Sequence, residues 1–174
     1  MKFALTLAVA ALAGGLALPL PAFANDDGGG GNTPTCPRGQ VYSQQKQMCV
    51  DAQSGVVDDR SLTTYASVLA RDGRYDEALA TLDLLQNPNT PEALNYRGYA
   101  TRKLGRVDEG IGYYLQSVAL DPDYTLVREY LGEAYLIKGD LPAAKLQLAE
   151  IEKRCGTTCE PYQDLAEAIS EHPI

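Results

Sequence analysis

A period of 34 residues constrains this chain more than any other feature of its sequence. Gly98 is followed at that distance by Gly132, and Gly105 is followed by Gly139. A weaker copy lies upstream at an offset of 32 residues, where Gly73 precedes Gly105. Repetition at such a period is typical of stacked supersecondary units, none of which can bury a core alone. The sequence therefore predicts a repeat architecture through the middle of the chain.

Each period carries the signals of two helices. In residues 91–124, small and apolar residues recur at helical spacing from Leu94 to Leu104. Gly105 follows, and glycine suits the left-handed conformation just past a helix end. A second stripe then ends before Pro122, because proline cannot continue a helix and disfavours helical geometry in the residue before it. One unit is therefore predicted to be two helices joined by a glycine turn.

The same signals place six repeat helices and a last helix beginning near Glu160. The predicted spans are 60–71, 75–86, 91–104, 107–120, 124–138 and 141–154. Gly98 and Gly132 fall inside two of these helices, where each glycine costs about 1 kcal/mol relative to alanine. A recurrent cost of this kind indicates a position where a neighbouring group lies too close for a side chain, so we expect close packing at both glycines.

These residues resemble the tetratricopeptide repeat (TPR) family, and the resemblance covers residues 59–154. The matching positions are Leu62, Ala66, Gly73, Ala78 and Leu82, then Leu94, Gly98, Gly105, Gly110, Tyr114 and Pro122, then Leu131, Gly132, Tyr135, Gly139, Ala144 and Leu148. Thr101 departs from the family's preferred tyrosine and Ser117 from its preferred alanine. The resemblance implies an all-α solenoid of three helix-turn-helix units, at 59–90, 91–124 and 125–154, closed by a disulfide turn and a capping helix in 155–174.

The first 24 residues have the pattern of a secretory signal peptide. Lys2 precedes an apolar run, and Ala22-Phe23-Ala24 gives a small-x-small cleavage site. The run is too short for a membrane span, and no later segment is long and apolar enough to be one. We therefore expect an exported protein, periplasmic or secreted after cleavage near Ala24. Removing this segment removes one lysine and changes the net charge from −8 to −9, an acidity that argues against nucleic acid as a partner.

The region before the repeats is predicted to be a glycine-rich flexible linker at 25–35 and a small hairpin with its connector at 36–58. Four cysteines in an exported protein imply two disulfides with three alternative pairings. Local pairs are favoured, Cys36 with Cys49 and Cys155 with Cys159, because each pair brackets its own small unit. The Cys36–Cys49 segment also resembles one hairpin of chitin-binding peritrophin modules through its C-P-x-G-x-x-aromatic run.

The sequence offers little for catalysis. Its single histidine, His172, is the third residue from the C-terminal end, where a catalytic base would not be held in position. Glu129 and Glu133 lie one helical turn apart, and we interpret them as a solvated or partner-facing acidic patch rather than an acid–base pair. Oxidised cysteines would not hold zinc. We therefore expect no enzymatic activity, no catalytic residues, no metal and no cofactor.

The TPR resemblance implies a concave groove lined by the first helix of each repeat, where a peptide or partner helix binds. Carried onto this sequence, the groove positions are Arg60, Thr63, Ser67, Arg71, Asn95, Tyr99, Arg102, Lys103, Glu129, Glu133 and Leu136. We expect the four basic side chains to form one continuous strip, with the acidic patch beyond it.

The expected function is a non-enzymatic, monomeric protein–protein interaction scaffold of the cell envelope, which binds a protein or peptide in this groove. The alternative is a cell-wall or glycan-binding protein in which the Cys36–Cys49 hairpin contacts carbohydrate through Tyr42.

Overall fold

The computed structural model describes residues 33–52 and 57–172. These residues form a two-stranded antiparallel hairpin and seven helices. The elements are β1 (Gln40–Ser43), β2 (Met48–Asp51), α1 (Asp59–Arg71), α2 (Tyr75–Leu82), α3 (Pro91–Lys103), α4 (Val107–Leu120), α5 (Thr125–Ile137), α6 (Leu141–Cys155) and α7 (Glu160–Glu171). The predicted signal peptide and most of the predicted linker lie outside the described residues. Within the described ranges, every helix is too short or too polar to cross a membrane.

The helices stack in pairs as an α-solenoid. Helices α1 and α2, α3 and α4, and α5 and α6 pack as antiparallel hairpins, and each second helix also packs against the first helix of the next pair. The first helices contact one another in order along the stack, so α1, α3, α5 and α7 form one row, which we call the inner row. The capping helix α7 thus occupies the place of a fourth first helix. The predicted all-α solenoid is confirmed.

The turns inside the repeats have the geometry that their glycines predict. Gly73, Gly105 and Gly139 have φ angles of 75°, 87° and 74°, in the left-handed region that strains other residues. The Gly105 amide donates to the Arg102 carbonyl at 2.9 Å and the Arg106 amide donates to the Thr101 carbonyl at 3.2 Å, so the turn satisfies the last carbonyls of α3.

Helix α2 is shorter than predicted, since it ends at Leu82 rather than at residue 86. Beyond Leu82 the chain forms tight turns that bury Leu85. The amides of Gln86 and Asn87 then donate to the two carboxylate oxygens of Asp59, at 2.9 and 2.8 Å. A carboxylate from α1 therefore takes the place of the helical partners that these amides would otherwise need, an interaction between distant residues that the helical pattern does not show.

The N-terminal hairpin is fixed to the first repeat. Cys36 and Val41 are buried in the same apolar cluster as Tyr65 of α1. The Cys36 amide donates to the Tyr65 hydroxyl at 2.7 Å, and the Arg74 guanidinium donates to the Cys36 carbonyl at 3.1 Å. Both disulfides have the local pairing, Cys36 with Cys49 and Cys155 with Cys159. The hairpin is therefore a fixed wall at one end of the solenoid.

Close packing at the helix glycines is confirmed. A β-carbon added to Gly98 would lie 2.6 Å from the ring of Tyr114 in α4. One added to Gly132 would lie 2.5 Å from Leu165 in α7. The space that Gly98 leaves is therefore filled by the second helix of its own repeat, whereas the space that Gly132 leaves is filled by the capping helix.

Replacing Gly98 with alanine is expected to destabilise the fold by about 1 to 3 kcal/mol, because the buried Tyr114 ring must move. Gly112 is the matched control, a helical glycine of α4 where an added β-carbon would meet no atom of another described element within 4 Å. Gly112→Ala is expected to stabilise the protein by about 0.5 to 1 kcal/mol, since alanine favours the helix. Urea unfolding measures both changes. Equal effects of the two substitutions would contradict this packing.

Candidate binding groove

The predicted groove residues lie on the inner row, but they divide into accessible and buried sets. Arg60, Arg71 and Lys103 are exposed, and Thr63, Tyr99 and Glu133 are partly exposed. The buried set contains Ser67, Asn95, Arg102, Glu129 and Leu136. The helical period places all of these residues on one side of the first helices. How exposed each side chain is then depends on which neighbouring elements cover it.

The first repeat lines a cavity of about 690 Å³ between α1, α3 and the hairpin. The cavity contains all four groove positions predicted on α1, namely Arg60, Thr63, Ser67 and Arg71. Sequence reasoning missed most of the opposite side, which is supplied by the α2–α3 connection and α3: Asn87, Thr90, Glu92 and Tyr96. Tyr42 and Gln44 of the hairpin form a further wall. The side chains around the cavity are mostly hydroxyl, amide and charged groups.

Arg102 corrects the expectation of a continuous basic strip. Its side chain is only 3% exposed, and its guanidinium donates to Glu133 at 2.6 Å and to the Tyr114 hydroxyl at 3.2 Å. It also lies over the rings of Tyr99 and Tyr130, with centroid distances of 5.5 and 5.9 Å. Arg102 therefore joins the second and third repeats from inside, and its charge is already neutralised by a carboxylate.

Lys103, the next residue, has the accessible position that Arg102 lacks. Its ammonium group lies 5.3 Å from the centroid of the Tyr99 ring, in cation–π geometry. Lys103 stands 32 residues after Arg71, at the equivalent place on the neighbouring first helix. The Tyr99 ring in turn packs against Tyr75 and Tyr130. Lys103 therefore stands beside an aromatic surface formed by Tyr99 and its two tyrosine neighbours.

The third repeat does not present the acidic patch that the sequence suggests. Glu129 is 4% exposed, and its Oε2 has no hydrogen-bond partner within the described residues. Burial first, and then the carboxylates of Glu133, Asp164 and Glu160, raise the pKa of the Glu129 carboxyl to about 8. Glu129 is therefore mostly protonated at neutral pH, which removes the large cost of burying a charge.

Leu136 and Asn95 are likewise buried rather than available to a partner. Leu136 belongs to an apolar cluster with Ala144, Ile151 and Leu165, so it anchors the capping helix. The Asn95 amide donates to the Tyr124 hydroxyl at 3.3 Å, while its carbonyl oxygen is buried without a partner in the described structure. The accessible groove is consequently centred on the first two repeats.

Comparison with known proteins agrees with this architecture. Residues 66–125 and 97–156 each match the family model described as "Tetratricopeptide repeat", and together the two matches cover more than half of the chain. This chain belongs to the tetratricopeptide repeat family. TPR proteins are protein–protein interaction scaffolds and are generally not enzymes.

Two relatives carry a similar TPR segment within much longer proteins. The TPR repeat-containing thioredoxin TTL4 of Arabidopsis thaliana is 29% identical over 99 residues, which make up 56% of this chain and 14% of that protein. Anaphase-promoting complex subunit 7 of Homo sapiens is 29% identical over 103 residues, 58% of this chain and 18% of that protein. The TPR chain thus spans less than a fifth of the length of either relative.

Two solved structures share the fold of this TPR chain. The first TPR domain of human RPAP3 superposes with a TM-score of 0.54 at 20% identity, covering 66% of this chain and 94% of that chain. The type III secretion chaperone SycD of Yersinia enterocolitica, in complex with a peptide of the translocator YopD, superposes with a TM-score of 0.53 at 18% identity, covering 65% and 87%. The predicted family and fold are therefore confirmed, whereas contact of the groove residues with a partner stays a prediction.

Proposed function

We propose that this chain is a non-enzymatic scaffold that binds an extended segment of a partner protein along the inner row of its first two repeats. The observation that carries the proposal is the pairing state of its basic side chains. In the described part of the chain, most arginines and lysines form ion pairs, among them Arg74, Arg97, Arg106 and Lys138.

Arg60, Arg71 and Lys103 differ from these residues, because none of them pairs with a carboxylate in the described structure. They are exposed, they lie on the inner row, and the chain around them is acidic overall. Unpaired cations beside tyrosine rings provide donors and an apolar surface for an incoming chain. The SycD structure supports the proposal, because a protein of this fold is seen there with a peptide.

We place this activity in the cell envelope, outside the cytoplasm. Both disulfides support the location, since disulfides persist in oxidising compartments. The signal-like pattern of residues 1–24 supports it independently of the described structure. The intact mass of the protein from its native source tests the location, with loss of residues 1–24 as the expected result. A mass that includes those residues would contradict export by cleavage.

Charge reversal at Lys103 tests the groove. A library of random peptides long enough to span the inner row is displayed, and the peptides that bind the chain are isolated. Lys103→Glu is expected to weaken their binding at least roughly tenfold, because an exposed cation beside the bound segment becomes a repelling anion. The effect should shrink as salt is added.

Lys145→Glu is the matched control for this test, because Lys145 is an exposed lysine of α6, outside the inner row. It makes the same change in net charge and is expected to leave the affinity within about twofold of the original. Equal losses for Lys103→Glu and Lys145→Glu would show a net-charge effect and contradict binding in the groove.

The alternative function, carbohydrate binding by the hairpin, stays a prediction, and Tyr42 places that hairpin on the same cavity.

A further inference from the structure

The cavity between the hairpin and α1 has a feature that the family groove does not explain. Its floor is one whole face of α1, formed by Arg60, Thr63, Thr64, Ser67, Val68 and Arg71. Arg60 and Arg71 are eleven residues apart, which is close to three helical turns, so they point in the same direction. At 1.5 Å per residue, their positions on the helix are separated by roughly 16 Å.

Neither guanidinium is neutralised within the described residues. The Arg60 side chain forms no ion pair or hydrogen bond with the described residues, and Arg71 only approaches two neutral hydroxyls, of Ser67 at 3.4 Å and Tyr96 at 3.5 Å. Arg74, just across the turn, shows the contrast, since it holds both carboxylate oxygens of Glu77 at 2.9 and 2.7 Å. The cavity therefore keeps two bidentate donors at its two ends.

The acidic residues that line the cavity do not form ion pairs with Arg60 or Arg71. Asp59 accepts hydrogen bonds from two backbone amides with its two oxygens. Glu92 lies on the α3 side and pairs with neither arginine. Its charge repels a second carboxylate on that side, whereas the Asp59 carboxylate on α1 is partly offset by the two amides that donate to it. An acidic ligand is therefore expected to lie against the two arginines of α1 and the hairpin wall formed by Tyr42 and Gln44.

We infer that this cavity binds an extended acidic segment of the partner, with two carboxylate side chains roughly four or six residues apart. The separation of the two arginines corresponds to about five residues of an extended chain, which advances about 3.3 Å per residue, and only an even spacing puts both side chains on the face towards α1. One carboxylate is bound by Arg60 and the other by Arg71, and the hydroxyl and amide groups between them are donors to the intervening backbone. The disulfide-closed hairpin is thus part of the binding site. This inference rests on the proposed groove function.

The test uses the peptides that are isolated from the random library on the full chain. They are expected to carry two acidic residues on one face of the extended chain, with about three or five residues between them. Changing either acid to its amide should weaken binding about 10- to 100-fold, the loss of one charge-assisted hydrogen-bonded pair. In the Arg60→Gln protein, changing one of the two peptide acids to its amide should no longer weaken binding. In the Arg71→Gln protein, the same should hold for the other acid. Lys145→Gln should retain both preferences.

The hairpin has its own matched pair of variants. Gln44 lines the cavity, whereas the next residue, Gln45, is exposed and does not. Gln44→Glu is expected to weaken binding of the acidic peptides about tenfold, and Gln45→Glu should leave it nearly unchanged. Equal affinities for the two variants would remove the hairpin from the site and overturn the inference.

Further outcomes separate this inference from the groove function. If isolated peptides lack the acidic pair but still lose affinity in Lys103→Glu, the inference is wrong and the groove function stands. If no peptide is captured, both fail. If soluble cell-wall glycan fragments bind instead and Tyr42→Ala abolishes that binding, the cavity is a carbohydrate site and the inference is overturned.

Discussion

Replacing Arg102 with methionine is expected to destabilise the protein by about 2 to 4 kcal/mol. Methionine retains most of the aliphatic volume, but the Glu133 carboxylate loses its counter-ion and the buried Tyr114 hydroxyl loses its hydrogen-bond partner. Removing one partner of a buried ion pair typically costs 3 to 5 kcal/mol, and the partial exposure of Glu133, 30% of its side chain, reduces that figure. Urea unfolding measures the loss, with one slope of the free energy of unfolding against urea concentration used for both proteins.

Lys103→Met is the control for Arg102→Met, since it removes an exposed cation at the neighbouring position. Its expected change is within about 0.5 kcal/mol. The double variant Arg102→Met with Glu133→Gln should recover part of the stability lost in Arg102→Met, because no unpaired carboxylate remains. Similar losses for Arg102→Met and Lys103→Met would contradict the buried bridge, and they would restore Arg102 as an accessible groove residue.

Replacing Glu129 with glutamine is expected to stabilise the protein in a way that grows with pH. The pKa of this carboxyl is about 8 in the folded protein and near its ordinary value of 4.5 when unfolded. Between these values the folded state keeps a proton that the unfolded chain releases, so the original protein loses stability as pH rises from about 4.5 to 8. Glutamine is neutral throughout and avoids that loss.

The expected advantage of Glu129→Gln is close to zero at about pH 4 and on the order of 3 to 5 kcal/mol at about pH 9. Comparing the two proteins at each pH cancels the titration of the groups that they share. Glu167→Gln on α7 is the matched control, because Glu167 is exposed, and its effect should stay small across the range. An advantage for Glu129→Gln that is independent of pH would contradict a carboxyl kept protonated by burial.

The period in the sequence was sufficient to predict the solenoid. Gly105 and its equivalents mark the turns, Pro122 marks a helix end, and Gly98 marks the place where Tyr114 approaches. These signals are local, or they recur at a fixed distance, so a single sequence contains them. The position of α7 against Gly132 was not predicted, because a capping helix can pack on either helix of the last pair.

The sequence did not directly reveal which of the groove side chains are buried and which are accessible. Ala70, Arg102 and Leu136 occupy equivalent positions of the three repeats, and all three are buried. The apolar residues at the two outer positions were a signal that Arg102 is buried too. The charge of Arg102 nevertheless favoured an exposed position, since arginine is rarely buried unless it is paired. The pair that permits it, Arg102 with Glu133, joins residues of different repeats.

The hairpin illustrates a second limit. Its disulfide is local, so the cysteine spacing fixes the hairpin itself and leaves its place on the solenoid undetermined. That place depends on single interactions between distant residues, such as the hydrogen bond from the Cys36 amide to the Tyr65 hydroxyl. Tyr42 and Gln44 therefore entered the candidate site only when the structure placed them beside α1.

The most direct test of the proposed function is to locate a bound peptide on the chain by NMR. Amide shifts of the isotopically labelled protein are followed while a peptide isolated from the random library is added. Binding in the groove predicts that the largest shifts fall on α1 and α3, and that Lys103→Glu reduces them. Largest shifts on α2, α4 and α6 would place the peptide on the opposite side of the solenoid and contradict the proposed function.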